Sequence, residues 1–251
     1  MKPFYRSLAT FGTIPTIDAV RLSQEVGQSI LGVPVRCDKL QICPQNRRGV
    51  NDEIIAYLLE VYPDIEFRLH ANVNVTGLAK IVDASNWPDD SYYFGFLKKA
   101  LYAIKSPVYT LHAGRRSNCS LEDLFAKVKD LEDSLGIPTG VEGHYPDADN
   151  KWLINSWKEY EAMLNSGVNF ALDLSHLNIV GYYEQVYPLD LVKAMIESER
   201  CIEVHISHNE GYSDSHRNII EEPWWWQSLQ FINPSADIFT EGFISTQVFI
   251  N

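Results

Sequence analysis

Eight short apolar runs alternate with longer amphipathic segments along nearly the whole chain, and this alternation limits the fold more than any other feature. The runs cover 4–10, 35–43, 65–69, 108–111, 139–141, 168–172, 201–204 and 236–240. Each is apolar on both faces, the pattern of a strand buried in a parallel sheet. The intervening segments predict helices over 16–29, 51–61, 89–104, 120–136, 152–165 and 189–198, with a shorter one at 223–229. Ser120 followed by Asp123 opens the fourth of these as a cap, and Gly136 closes it. Strand–helix alternation of this kind means parallel βα units. Eight of them predict an α/β fold with a single (β/α)8 TIM barrel spanning residues 1–251 as one domain, a length ordinary for that architecture. Little chain follows Glu241, so the last outer helix is expected to be short or absent, leaving the wall open or covered by another subunit.

A parallel barrel brings every strand end to one face, where active sites of this architecture lie. All seven histidines, His70, His112, His144, His176, His205, His208 and His216, fall at an expected strand end or in the loop after it, and none in an expected helix. Glu142, Asp173, Asp214 and Glu241 share that placement. Imidazole and carboxylate are ligands for zinc, manganese and iron. His70 and His112 close successive strands. Glu142 follows an apolar strand, where a buried carboxylate needs a cation or strong hydrogen bonds. Asp173 and His176 both point into the bowl, and Asp214 and His216 face one way in extended backbone. The candidate metal ligands are therefore His70, His112, Glu142, Asp173, His176, His205, Asp214, His216 and Glu241, with Glu142 and Glu241 the candidate catalytic carboxylates. His144 reads as a loop residue, and His208 as a substrate contact or a partner to a ligand.

The net charge of −12 disfavours non-specific nucleic-acid binding. Arg47, Arg48, Arg115, Arg116 and Arg217, however, lie in loops after strands. An acidic body with a basic rim suits a small anionic or phosphate-bearing substrate, bound by Arg47, Arg48, Arg115 and Arg217. Cys37, Cys43, Cys119 and Cys201 show no CxxC spacing and read as cytosolic thiols. With no long apolar run and no leader-like N-terminus, the expected location is cytoplasmic and no membrane partner is expected. Of Trp224, Trp225 and Trp226, one or two are expected to pack and another to line the substrate mouth or an interface.

The ordered set His70, His112, Glu142, Asp173-x-x-His176, His205, Asp214-x-His216, Glu241 resembles endonuclease IV, the AP endonuclease family 2, within the xylose isomerase-like TIM-barrel superfamily. The resemblance covers nearly the whole chain. It implies a hydrolase of phosphoesters with up to three zinc ions. His70 and His112 would hold one ion; Asp173, His205 and Glu241 a second, with Glu142 bridging the two; His176, Asp214 and His216 a third. Sugar isomerases and epimerases of the superfamily use only the central Glu142, Asp173, His205, Glu241 set and one divalent ion, manganese among them. A multinuclear iron oxidase that modifies a peptide, on a similar barrel, is a third reading. The chain departs from the nuclease family after His70, where Ala71-Asn72-Val73-Asn74 offers no aromatic wedge, and after the seventh-strand histidine, where it has Ser207-His208-Asn209. These departures make DNA a less favoured partner than a small molecule.

Overall fold

The computed structural model describes residues 2–77 and 81–244. Its strands are β1 (Phe4–Ser7), β2 (Ser29–Ile30), β3 (Val33–Ile42), β4 (Glu66–Leu69), β5 (Tyr109–His112), β6 (Thr139–Glu142), β7 (Asn169–Asp173), β8 (Cys201–Ile206) and β9 (Asp237–Thr240). Its helices are α1 (Thr16–Glu25), α2 (Asp52–Val61), α3 (Ser91–Ala103), α4 (Leu121–Leu135), α5 (Trp157–Asn165), α6 (Leu174–Glu184) and α7 (Leu189–Glu197). None is long and apolar enough to cross a membrane.

The fold is α/β, with a curled sheet. Parallel ladders join β4, β3, β1, β9, β8, β7, β6 and β5 in that order. β2 adds an antiparallel hairpin to the start of β3. The two ends of the curl, β4 and β5, meet through one bridge, His70 with Thr110, and the bond from Ala71 N to Thr110 O (2.8 Å). The expected continuous eight-strand wall is thus a curled sheet with a seam. The expected shortness of the last helix falls on 245–251, outside the described residues.

Local sequence explains the elements. Ser120 Oγ accepts from Asp123 N at the start of α4, Leu124, Val128, Leu131 and Leu135 form its buried stripe, and Gly136 ends it at φ 73°. Asn51 caps α2 in the same way, its side chain accepting from Ile54 N. Two expectations fail. The helix expected over 152–165 begins only at Trp157, because Leu153 N bonds Gly114 O (2.9 Å) and His144 N bonds Ile154 O (2.8 Å). Those bonds draw 152–154 across the ends of β5 and β6. The segment after β7, expected as loop, is α6, so His176 does lie in a helix. Asp173 caps it, accepting from Ser175 N (2.7 Å) and His176 N (3.2 Å).

Apolar side chains from strands and helices form one core cluster. Trp225 and Trp226 are buried in it; Trp224 packs beside Trp157 and Tyr187, its Nε1 bonding Asn178 Oδ1. None of the three lines the cavity described below. All four cysteines are free.

Candidate metal centre

The strand register sets the site. His112 lies opposite Glu142 and Asp173 opposite His205. His70 immediately follows β4, and Glu241 follows β9, its N bonding Ile206 O. All nine candidate ligands then converge at the C-terminal ends of the strands. Glu142 is the hub: His205 Nδ1 lies 3.0 Å from Oε2, His70 Nε2 3.4 Å from Oε2, His176 Nδ1 3.6 Å from Oε1 and His112 Nε2 3.8 Å from Oε1. From His176 the contacts run on, through Nε2 to Asp173 (3.4 Å) and Asp214 (3.5 Å). His216 continues them, with Nε2 at 2.9 Å from Asp214 and Nδ1 at 3.5 Å from Glu241.

Donor atoms fall within 4.8 Å of one another in three groups: His70, His112 and Glu142; His70, His205 and Glu241; Glu142, Asp173 and His176. The first agrees with the resemblance. In the others Asp173 joins Glu142 and His176 instead of His205 and Glu241. Buried atoms left without a hydrogen-bond partner test the fit of a cation. They include Glu142 Oε2, His205 Nδ1, Asp214 Oδ1 and His216 Nδ1, all members of this cluster. Leaving such atoms unpaired is costly, and divalent ions satisfy them. The residues fit metal.

The electrostatics agree. Burial pushes Glu142 up, but His205, His70 and His112 outweigh it and hold the carboxyl well below its usual range. Burial lowers His205, yet Glu142, Glu203 and Glu241 raise it well above an ordinary histidine. His176 is raised against burial by Asp173 and Asp214, and His216 is raised to about 9 by Asp214 and Glu241. Burial carries His70 down to about 3 and raises Glu241. Without metal, protons on histidines balance the buried carboxylates; a cation displaces them.

The cluster floors a cavity of about 250 Å³. Its wall includes Asp83, His144, Tyr145 and Trp152, none expected there. His144, expected as a plain loop residue, is buried, with its ring stacked 4.5 Å from Trp152. Trp152 reaches the wall because 152–154 is drawn over the strand ends. Asp83 is buried beside the 3-10 turn Ala84–Asn86, which docks on β5 through Ser85 N to Ala113 O. Glu203 also escaped expectation, although an acid two residues before His205 faces the same side of β8.

The expected substrate-binding residues lie elsewhere. No arginine or lysine lines the cavity among the described residues. Arg47 and Arg48 are exposed on the β3–α2 loop, with the Arg47 backbone bonding Ile14 and Thr16. Arg217 is exposed and paired with Glu210, and its backbone bridges His208, which does not line the cavity. Arg116 pairs with Glu159. Arg115 alone comes near the rim, its guanidinium 5.2 Å from the Trp152 ring centre. Loops after strands carry these arginines, but ion pairs with Glu210 and Glu159 engage Arg217 and Arg116 outside the bowl.

No family model and no curated protein matches the sequence. Solved structures do match in fold. A D-tagatose 3-epimerase-like protein superposes with TM-score 0.69 at 15% identity, over 96% of this chain and 92% of that one. An AP endonuclease, family 2, from Brucella melitensis gives 0.67 at 15% identity, over 96% and 93%. The IOLI protein with a binding zinc atom gives 0.60 at 12% identity, over 95% and 88%. The structures that share this chain's fold are thus xylose isomerase-like TIM-barrel proteins, with an AP endonuclease of family 2 and sugar epimerases among them.

Proposed function

We propose that the chain is a multinuclear metalloenzyme, with zinc as its first-choice ion, that hydrolyses a phosphoester of a small substrate. One observation carries this reading: His176, Asp214 and His216 belong to the same unbroken chain of contacts as Glu142. A one-ion centre has no use for them. Glu142 with His70 and His112 would hold one ion; His205 and Glu241 would hold another, and His176 with Asp214 and His216 a third. Bound there, divalent ions would supply Lewis acidity and a water deprotonated near neutral pH. Glu142, with four imidazoles around it, fixes the geometry of the centre and orients the attacking water. Glu241, whose pKa burial raises, lies at the cavity wall 3.5 Å from His216. The cavity suits a small molecule. As no arginine or lysine lines it among the described residues, the substrate's negative charge would be met by the ions and histidines.

The test is His216→Ala. It should lower zinc content by one ion per chain and cut activity on p-nitrophenyl phosphate esters at least ~100-fold, the scale of losing one preorganised electrostatic group. The fold should persist, because the residue lies in a loop above the core. Unchanged metal content in this variant would remove the reading's support.

A second reading, a one-ion sugar epimerase, is favoured by two acids, Glu142 and Glu241, in one cavity that no arginine or lysine lines among the described residues. It requires one manganese or magnesium ion and epimerisation of a ketose. Two or three irons with dioxygen uptake would point instead to a peptide-modifying oxidase.

A further inference from the structure

Beneath the candidate ligands, inside the curl of the sheet, lies a fully buried acid with four polar partners. Glu203 Oε1 accepts from Gln41 Nε2 (2.6 Å), Thr110 Oγ1 (2.7 Å) and His205 Nε2 (2.9 Å). Its Oε2 accepts from Arg68 Nη1 (3.3 Å), which keeps it ionised. An ionised carboxylate only accepts. The proton between Glu203 and His205 therefore sits on His205 Nε2, which Gln41 Nε2 also approaches (3.1 Å), and once the ring is neutral, as a metal ligand must be, its lone pair is on Nδ1. That atom is the buried one without a hydrogen-bond partner, 3.0 Å from Glu142.

The same constraint passes through Thr110 to a second histidine. Thr110 has one hydroxyl proton, and Glu203 takes it. Toward His70 Nδ1, 2.9 Å away, the hydroxyl can then only accept. His70 carries its proton on Nδ1 and leaves Nε2 free, facing Glu142 at 3.4 Å. His176 reaches the same end without Glu203: its Nδ1 donates to Gly143 O (2.9 Å), leaving Nε2 toward Asp173 and Asp214.

We propose that Glu203 and Thr110 are positioning residues for the metal centre, fixing which nitrogen His205 and His70 present to the ions. One carboxylate thereby orients ligands delivered by two different strands, through Nδ1 in one and Nε2 in the other. The inference rests on the metal-centre reading but on no particular reaction. Partners of this kind are worth 10- to 100-fold in metal affinity where they have been removed.

The experiment compares wild type with Glu203→Gln, Thr110→Val and Thr110→Ser. Zn²⁺ affinity is measured by competition with a chromophoric chelator. Imidazole ¹⁵N spectra of the metal-free proteins report the tautomer of His70, which burial keeps neutral. Glu203→Gln and Thr110→Val should bind Zn²⁺ ~10- to 100-fold more weakly. His70 should lose its Nδ1–H tautomer in Thr110→Val. Thr110→Ser, which keeps the hydroxyl, should stay near wild type. A purely packing role predicts the reverse order, since valine fills the threonine's volume and serine does not. Thr110→Val with the wild-type His70 tautomer and Zn²⁺ affinity, or Thr110→Ser as weak as Thr110→Val, would overturn the proposal. A wild type that binds no Zn²⁺ would overturn the metal reading instead, and the ¹⁵N spectra would still decide the tautomer assignment.

Discussion

Four imidazoles face the Glu142 carboxylate at 3.0 to 3.8 Å, and the proton balance among them links metal binding to pH. His216 is raised to about 9, and His176 and His205 are also raised. A histidine raised in the folded state stabilises fully below its unfolded value near 6.5, and that contribution is lost as pH rises through the folded value. The metal-free protein should therefore lose stability between pH 6.5 and about 9. Over the same interval apparent Zn²⁺ affinity should rise, because binding releases these protons. Urea midpoints in chelator at pH 6 and pH 9, with calorimetry in two buffers to count protons, check both; flat midpoints and no proton release would contradict the assignment. The gathering of these side chains is legible in the sequence because each ends a strand or follows one, and parallel strands send their ends to one place. Glu203 was not singled out, because an acid inside an apolar run carries no sign of the Arg68, Thr110 and Gln41 side chains that come to it from other strands.

The elements that escaped expectation are those whose signal lies outside their own periodicity. α6 is buried on most sides, with Leu174, Leu177, Ile179, Val180 and Gly181 all inside, so no amphipathic stripe announces it. Its one local sign is Asp173, which reads in the sequence as a ligand and caps the helix in the structure. The 152–154 segment has helix-compatible sequence, but bonds to Gly114 and His144 hold it across the strand ends, with Ile154 at φ +55°. Gly114 is where these elements crowd together. It has φ +95°, and a Cβ there would lie 2.2 Å from Ser85 Oγ and 2.9 Å from Asp83 Cβ. Gly114→Ala should destabilise the protein by about 1–3 kcal/mol, the usual cost of forced backbone at such positions, and should push Asp83 out of the cavity wall. Urea denaturation measures it; a change below about 0.5 kcal/mol, the range of an ordinary surface substitution, would show that this junction is slack.

For the whole molecule, the alternation of apolar runs points to parallel βα units closing into a barrel, and the structure has the parallel units in a curled sheet. The alternation did not foretell the seam, where β4 and β5 share one bridge, since strand lengths decide that and boundaries are weakly written in sequence. Nor did it place the arginines, whose direction depends on partners such as Glu210 and Glu159. The result is an acidic chain whose cavity gathers carboxylates and imidazoles with no arginine or lysine in its wall among the described residues. Such a bowl is stabilised by whatever cations fill it. Saturating Zn²⁺ at about 100 times its Kd should add about 2.7 kcal/mol to unfolding, and a chelator should remove it. Metal content per chain, measured by elemental analysis after purification without chelator, tests the central claim most directly. The account predicts two or three divalent ions per chain, lost together with the stabilisation on chelation. One ion per chain, or none, would contradict a multinuclear centre.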